Sequence, residues 1–391
     1  MSRFKQIARF LAVFSLILGM THYYLYQRIA YYLELGAGAR VILGCGLACL
    51  AVATALGLPL TRSLPRWAAT LVSWVVYLWM GVWFLLFIGF LATDILWLSL
   101  NLLFPHAIFE PSACLQEGFG IAAIGLTVGL SLYAVWNGLR PVRIRPVSVT
   151  LKKMSPELNG LRIAQITDLH IGSMLGDKWL GQVVDRVNAL DVDVIAITGD
   201  LVDGSLQSLR RHVAPLGALR ARHGVYFVTG NHEYYSGVTE WCDYIQSLGI
   251  TVLRNQRKSI IINGKIIDIA GVDDWYSNHF PGEGHDLNAA LAGRDTDAPV
   301  ILLAHQPKAM DQAAQQGVDL QLSGHTHAGQ IWPFNYLVYL QQPIHHGLFQ
   351  HETSDLQVYV SAGTGFWGPP MRLGTSAEIT HIILQSGKQG T

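Results

Sequence analysis

Four apolar-rich runs, at residues 10–26, 41–60, 67–91 and 119–139, fall within the first 140 positions and constrain this chain more than any other feature. Hydrocarbon about 30 Å thick needs roughly 20 helical residues to cross it, because the backbone must satisfy its own polar groups there. The runs therefore predict four transmembrane helices over residues 1–139. A signal peptide is the rival for the first run, since Arg3, Lys5 and Arg9 precede it. The nearest small-x-small site, Ala37-Gly38-Ala39, lies well past the run, and Tyr23, Tyr24 and Tyr26 read as an interfacial belt, so an anchor is expected. Residues 94–104 are too short to cross again and read as a helical extension or interfacial piece.

With four crossings, one side of the membrane collects Arg3, Lys5, Arg9, Arg62, Arg66, Arg140, Arg143, Arg145, Lys152 and Lys153, and the other only Arg28 and Arg40. Positive charge in short flanks stays inside, so both termini and the soluble half are expected in the cytoplasm, with the chain a multi-pass protein of the inner (cell) membrane. The zero net charge is a cancellation. Residues 1–146 carry 10 Lys+Arg against 4 Asp+Glu, and residues 147–391 carry 17 against 23. An acidic soluble half speaks against a nucleic-acid partner, which would be gripped by Lys/Arg clusters. Cys45, Cys49, Cys114 and Cys242 have no CxxC or Cys/His ligand spacing, so neither a disulfide framework nor a thiolate zinc site is expected.

Beyond a basic, proline-punctuated segment read as a linker at 140–157, long apolar runs give way to short ones. Strands are predicted at 161–167, 192–198, 225–229, 260–262, 266–270, 300–303, 320–322, 358–361 and 379–384. Helices are predicted at 179–190, 207–219, 238–248, 286–291 and 308–316. This alternation indicates an α/β domain, bounded at 158–386.

Five of these strands end in ligating groups. Asp168-Leu169-His170 follows the first; Gly199-Asp200-Leu201-Val202-Asp203-Gly204 the second; Gly230-Asn231-His232-Glu233 the third. His305 follows 300–303, and Gly324-His325-Thr326-His327 follows 320–322. Open α/β sheets put their sites at the carboxyl edges of strands. Carboxylate, imidazole and amide oxygen together suit borderline divalent ions such as Mn²⁺, Fe²⁺ or Zn²⁺. Seven ligands exceed one ion's needs, whereas two ions about 3.5–4 Å apart, bridged by a carboxylate and a hydroxide, form a clamp for in-line attack at phosphorus.

The ordered series Asp168-x-His170, Gly199-Asp200-x-x-Asp203, Gly230-Asn231-His232-Glu233, His305 and Gly324-His325-x-His327 resembles the calcineurin-like metallophosphoesterase superfamily over residues 158–386. The resemblance implies a four-layer α/β/β/α sandwich with a dinuclear centre. It further implies Asp168, His170 and His327 on one ion, Asn231, His305 and His325 on the other, and Asp200 bridging. His232 would protonate the leaving oxygen, with Asp203 orienting its ring, and metal-hydroxide attack would cleave a phosphomonoester, phosphodiester or pyrophosphate.

Protein phosphatases of the superfamily carry Arg after the second Asp of the second motif, and here that position is Gly204, which argues against phosphoprotein substrates. The stretch from Ser361 to Arg372 and His327-Ala328-Gly329-Gln330 instead resemble a branch of membrane-associated bacterial phosphoesterases, some of them lipid-directed. Arg372 is a candidate phosphate contact. Trp275, Tyr276, Phe280, Trp332, Phe334, Tyr336, Phe366 and Trp367 are expected around the site as an apolar rim for an amphiphilic substrate, while His345-His346 read as structural or exposed, with a place near the site left open. The rival reading is a membrane sensor or transport accessory that uses the phosphoesterase domain as a ligand-binding module.

Overall fold

A computed structural model describes residues 3–104, 113–280 and 282–387 and divides the chain into two compact units, residues 1–139 with 368–371, and 140–367 with 372–391. The first holds four helices, α1 (Arg3–Tyr32), α2 (Ala37–Ser63), α3 (Arg66–Leu103) and α4 (Ala113–Leu139). Among the described residues, three stretches are long and apolar enough to cross a membrane: Ala37–Gly57, Arg66–Leu103 and Leu115–Leu139. This corrects the expectation of four. The run at 10–26 lies inside α1, which continues through Thr21, His22, three tyrosines, Gln27 and Arg28. Its polar groups face partners within the unit: Tyr24 donates to Asp94 at 2.6 Å, Arg28 pairs with Asp94 at 2.9 Å, and Trp79 donates to His22 at 3.0 Å. Residues 94–103 extend α3 rather than crossing again. Cys45, Cys49 and Cys242 are free thiols, and the side chain of Cys114 lies outside the described residues.

In the second unit, the segment read as a linker contains β1 (Arg143–Leu151), followed by β2 (Arg162–Ile166), α5 (Asp177–Asn188), β3 (Val194–Thr198), α6 (Leu206–Val213) and β4 (Val225–Val228). Then come α7 (Asn231–Ser236), α8 (Val238–Ser247), β5 (Thr251–Val252), β6 (Gln256–Ile262), β7 (Lys265–Gly271) and α9 (Leu287–Leu291). The chain ends with β8 (Val300–Leu303), α10 (Met310–Gln315), β9 (Leu320–Ser323), α11 (Asn335–Val338), β10 (Gly347–Gln350), β11 (Gln357–Val360) and β12 (Glu378–Ser386).

Two six-stranded sheets result, in the orders β1-β12-β2-β3-β4-β5 and β10-β11-β9-β8-β7-β6. Side-chain alternation along each strand builds the layers. Ile163, Val194 and Ala196 from the first sheet and Ile301, Leu303, Leu320 and Leu322 from the second fill one core between the sheets. The alternate residues Ala164, Ile166, Ile195 and Ile197 pack against α5 and α8, while Val300, Leu302 and Val358 pack against α9 and α10. Four layers follow, helix, sheet, sheet, helix. Strands β2, β3 and β4 are parallel, as are β7, β8, β9 and β11, so their carboxyl ends gather the loops that follow them. Buried Gln165 ties the two sheets together beside that edge, donating at 2.9 Å to both Thr198 Oγ1 on β3 and the Ser323 carbonyl on β9.

Candidate metal centre

Each motif residue sits in the turn that leaves a strand: Asp168 and His170 after β2, Asp200 and Asp203 after β3, Asn231 and His232 at the start of α7 after β4, His305 after β8, and His325 and His327 after β9. The chain bends back sharply there. Asp168, His170, Asp200, His325 and His327 all have left-handed backbones, with φ between 44° and 71°, a region Asp and His enter more readily than most residues. Two glycines are needed for the close approach. A Cβ at Gly230 would fall on the Asp200 carboxylate, and one at Gly324 on Asp168 and Thr167.

The ligating atoms form three overlapping groups, Asp168/His170/His327, His170/Asp200/His232 and Asp200/His305/His325, each within 4.8 Å. His170 Nε2 lies 3.1 Å from His327 Nε2, and His325 Nδ1 lies 3.2 Å from His305 Nε2. His305 Nδ1 sits 2.7 Å from the Thr198 carbonyl, which can only accept; Nδ1 therefore carries a proton and Nε2 is the nitrogen that faces Asp200. Asp200 Oδ2 is central, 3.2 Å from His305 and 3.9 Å from both His170 and His232.

Buried carboxylates and imidazoles packed this closely call for positive charge. Burial opposes a charged His305, yet Asp200 overrides it and holds the ring well above its ordinary pKa. Burial and neighbouring His305 push His325 down to about 3, which keeps a lone pair available. Asn231 Oδ1 is buried without any hydrogen-bond partner, a costly state for an amide oxygen unless a cation takes it. These donors fit two divalent ions.

His232, grouped with His170 and Asp200, is also held by a second carboxylate. Its Nδ1 lies 2.6 Å from Asp203 Oδ1, which also accepts from His170 Nδ1 at 3.0 Å. Burial disfavours the imidazolium, but Asp200 and Asp203 raise it to about 9. Burial would raise Asp203 too, and the two histidines instead hold it well below the usual carboxylate range.

A family model described as calcineurin-like phosphoesterase matches residues 161–329. A metallophosphoesterase of Helicobacter pylori (strain J99) is 37% identical over 271 residues, covering 69% of this chain and 70% of its own. This chain belongs to the calcineurin-like metallophosphoesterases. A bovine relative called "Transmembrane protein with metallophosphoesterase domain" is 44% identical over 275 residues, and a zebrafish one of the same name is 40% identical over 273, each covering 68% of this chain. The chain spans 62% of the length of both.

Two expectations for this metallophosphoesterase change. Arg372 is not a phosphate contact: it is fully buried and donates to the carbonyls of His327 at 2.9 Å and of Ala362 and Gly365 at 2.6 Å, pinning the loop that carries His327. Phe366 is a core residue rather than part of a rim. His345 and His346 line a cavity with Trp332, and Thr326, between His325 and His327, donates to the His345 carbonyl. The ring beside His232 is made by Tyr235, centroids 5.4 Å apart, and by Trp367 at 6.1 Å, while Tyr276 packs on Tyr235.

Two contributors had no sequence signal of their own. Tyr235 lies two residues past a motif inside a short helix. Glu233 was visible only as the fourth letter of its motif; its buried carboxylate accepts from the backbone N–H of Gly230, Asp200 and Leu201 at 2.7, 3.0 and 2.8 Å, fastening two metal-site turns together.

Proposed function

We propose that the protein is a membrane-anchored hydrolase of phosphoric ester or pyrophosphate bonds in an amphiphilic substrate, with its phosphoesterase domain in the cytoplasm. The observation that carries the reaction is the convergence of five strand ends on facing imidazole nitrogens, a shared Asp200 oxygen and the orphaned Asn231 oxygen. Asp168, His170 and His327 would hold one divalent ion, Asn231, His305 and His325 the other, and Asp200 both. Bound there, the ions supply charge neutralisation and an activated water near neutral pH. His232, its Nδ1 held by Asp203, presents Nε2 toward Asp200 and gives its proton to the departing oxygen.

Sidedness is supported without counting α1. Arg62 lies at the end of α2 and Arg66 opens α3, and Arg140, Arg143, Arg145, Lys152 and Lys153 follow α4, so two crossings return the basic flanks to one side. The amphiphilic substrate is supported by half-exposed Tyr235 and Trp367 beside His232.

The test is full-length protein in detergent, stripped with chelator, reloaded with Mn²⁺, Fe²⁺, Zn²⁺ or Mg²⁺, and assayed on nitrophenyl esters, cyclic nucleotides and lipid phosphates and pyrophosphates. Asp200→Asn should lose more than about 100-fold in turnover, since even residues behind a metal ligand cost 10–100-fold. Near-wild-type turnover by that variant rejects the mechanism. Much faster hydrolysis of soluble nucleotides than of any lipid phosphate in mixed micelles rejects the amphiphilic substrate alone.

A further inference from the structure

From Leu320 to His351 the chain contains no Asp, Glu, Lys or Arg. The first part of this stretch is buried around the metal ligands, but the middle is not. Trp332 is 51% exposed, Tyr336 63% and Leu340 80%, with Phe334, Leu337 and Tyr339 exposed alongside. A soluble domain rarely leaves such a run of large apolar side chains in water. Trp and Tyr beside Leu and Phe is the composition of the membrane–water interface, where rings with one polar tip are favoured.

A cavity of about 430 Å³ that shares Trp332 with this ridge is lined also by Asn335, Arg143, Arg145, His346 and Glu378. Its charges do not cancel. Buried Glu378 is matched by Arg145 at 3.7 Å and His346 at 3.6 Å, whereas Arg143 makes no ion pair among the described residues. Asn335 Oδ1 is buried without a partner, an acceptor for a hydroxyl or ammonium next to an anion. Only residues 140–142 separate Leu139, the end of the last span, from Arg143. At about 3.5 Å per residue, the covalent chain keeps the start of β1 within roughly 14 Å of that end.

We propose that this face is a lipid-docking surface. The segment 332–340 inserts its apolar side chains into the headgroup region of an anionic bilayer, and the neighbouring cavity receives a lipid phosphate between Arg143 and Arg145. The claim depends on the membrane spans and not on the reaction, because neither the ridge nor the cavity includes a metal-site residue.

Photocrosslinking of the full chain in nanodiscs tests it. Leu340→p-benzoylphenylalanine should give lipid adducts by mass spectrometry in mixed phosphatidylglycerol/phosphatidylcholine discs, and the same probe at Ile261, 67% exposed on β6, should not. Arg143→Glu with Arg145→Glu should cut the adduct yield at 340 by at least about five-fold in anionic discs, as expected for losing surface charges, and leave it unchanged in phosphatidylcholine alone. Asp200→Asn protein should crosslink like wild type, which separates this claim from the proposed hydrolysis. Adducts only to a second protein chain, or no adduct at 340 in either disc, would overturn it. So would binding of inorganic phosphate in detergent, lost in the double arginine variant, with no lipid adduct.

Discussion

Arg372 offers a prediction that separates a structural from a substrate-binding role. Replacing it with Met removes donors from four carbonyls, but the losses are unequal. The His327 and Gly363 carbonyls keep backbone donors, Gln330 N–H at 2.9 Å and Glu378 N–H at 3.0 Å. The Ala362 and Gly365 carbonyls, each 2.6 Å from the guanidinium, lose the charged donor that satisfies them. An orphaned buried acceptor costs about 1–3 kcal/mol, so Arg372→Met should destabilise the domain by roughly 4 kcal/mol. For a domain of this size, about 2–4 °C of Tm accompany each kcal/mol, giving a fall of roughly 8–16 °C. Arg372→Lys should recover part of it. The assay is thermal unfolding of full-length protein in detergent, followed by intrinsic fluorescence, beside KM for a phosphoester. A Tm within about 2 °C of wild type, together with a large rise in KM, would refute the reasoning and return Arg372 to the phosphate.

His232→Ala should keep its metal content by elemental analysis yet lose about 10²–10⁴ in kcat on alkyl phosphates, with a smaller loss on nitrophenyl esters that need no proton. Asp203→Asn removes one of the three carboxylates that raise His232 to about 9; the active acid form exists below its pKa, so the alkaline limb of the kcat/KM profile should move to lower pH. An unmoved limb means another group sets it. Glu233→Ala leaves three backbone N–H groups without their acceptor and should cost roughly 3–5 kcal/mol, read by chemical denaturation, with weaker metal retention.

The side chains that converge in the candidate metal centre were legible because each follows its strand within a few residues, so short-range pattern and chemistry coincide. What escaped depends on distant chain. Arg372 reads as a solvated turn residue until the carbonyls of Ala362, Gly365 and His327 are seen to enclose it. Strand β1 hid behind Arg143, Arg145 and Pro146, all exposed on a strand at the edge of its sheet, where proline is tolerated. Its inward residues Val149 and Leu151 are too few to show a period alone.

The left-handed backbones at Asp168, His170, Asp200, His325 and His327 set stability and chemistry against each other. Glycine at any of these positions would relax the chain by up to roughly 1–2 kcal/mol while deleting a donor. A library sorted purely for heat resistance, blind to turnover, should therefore enrich glycine at the very places where the molecule can least spare a side chain.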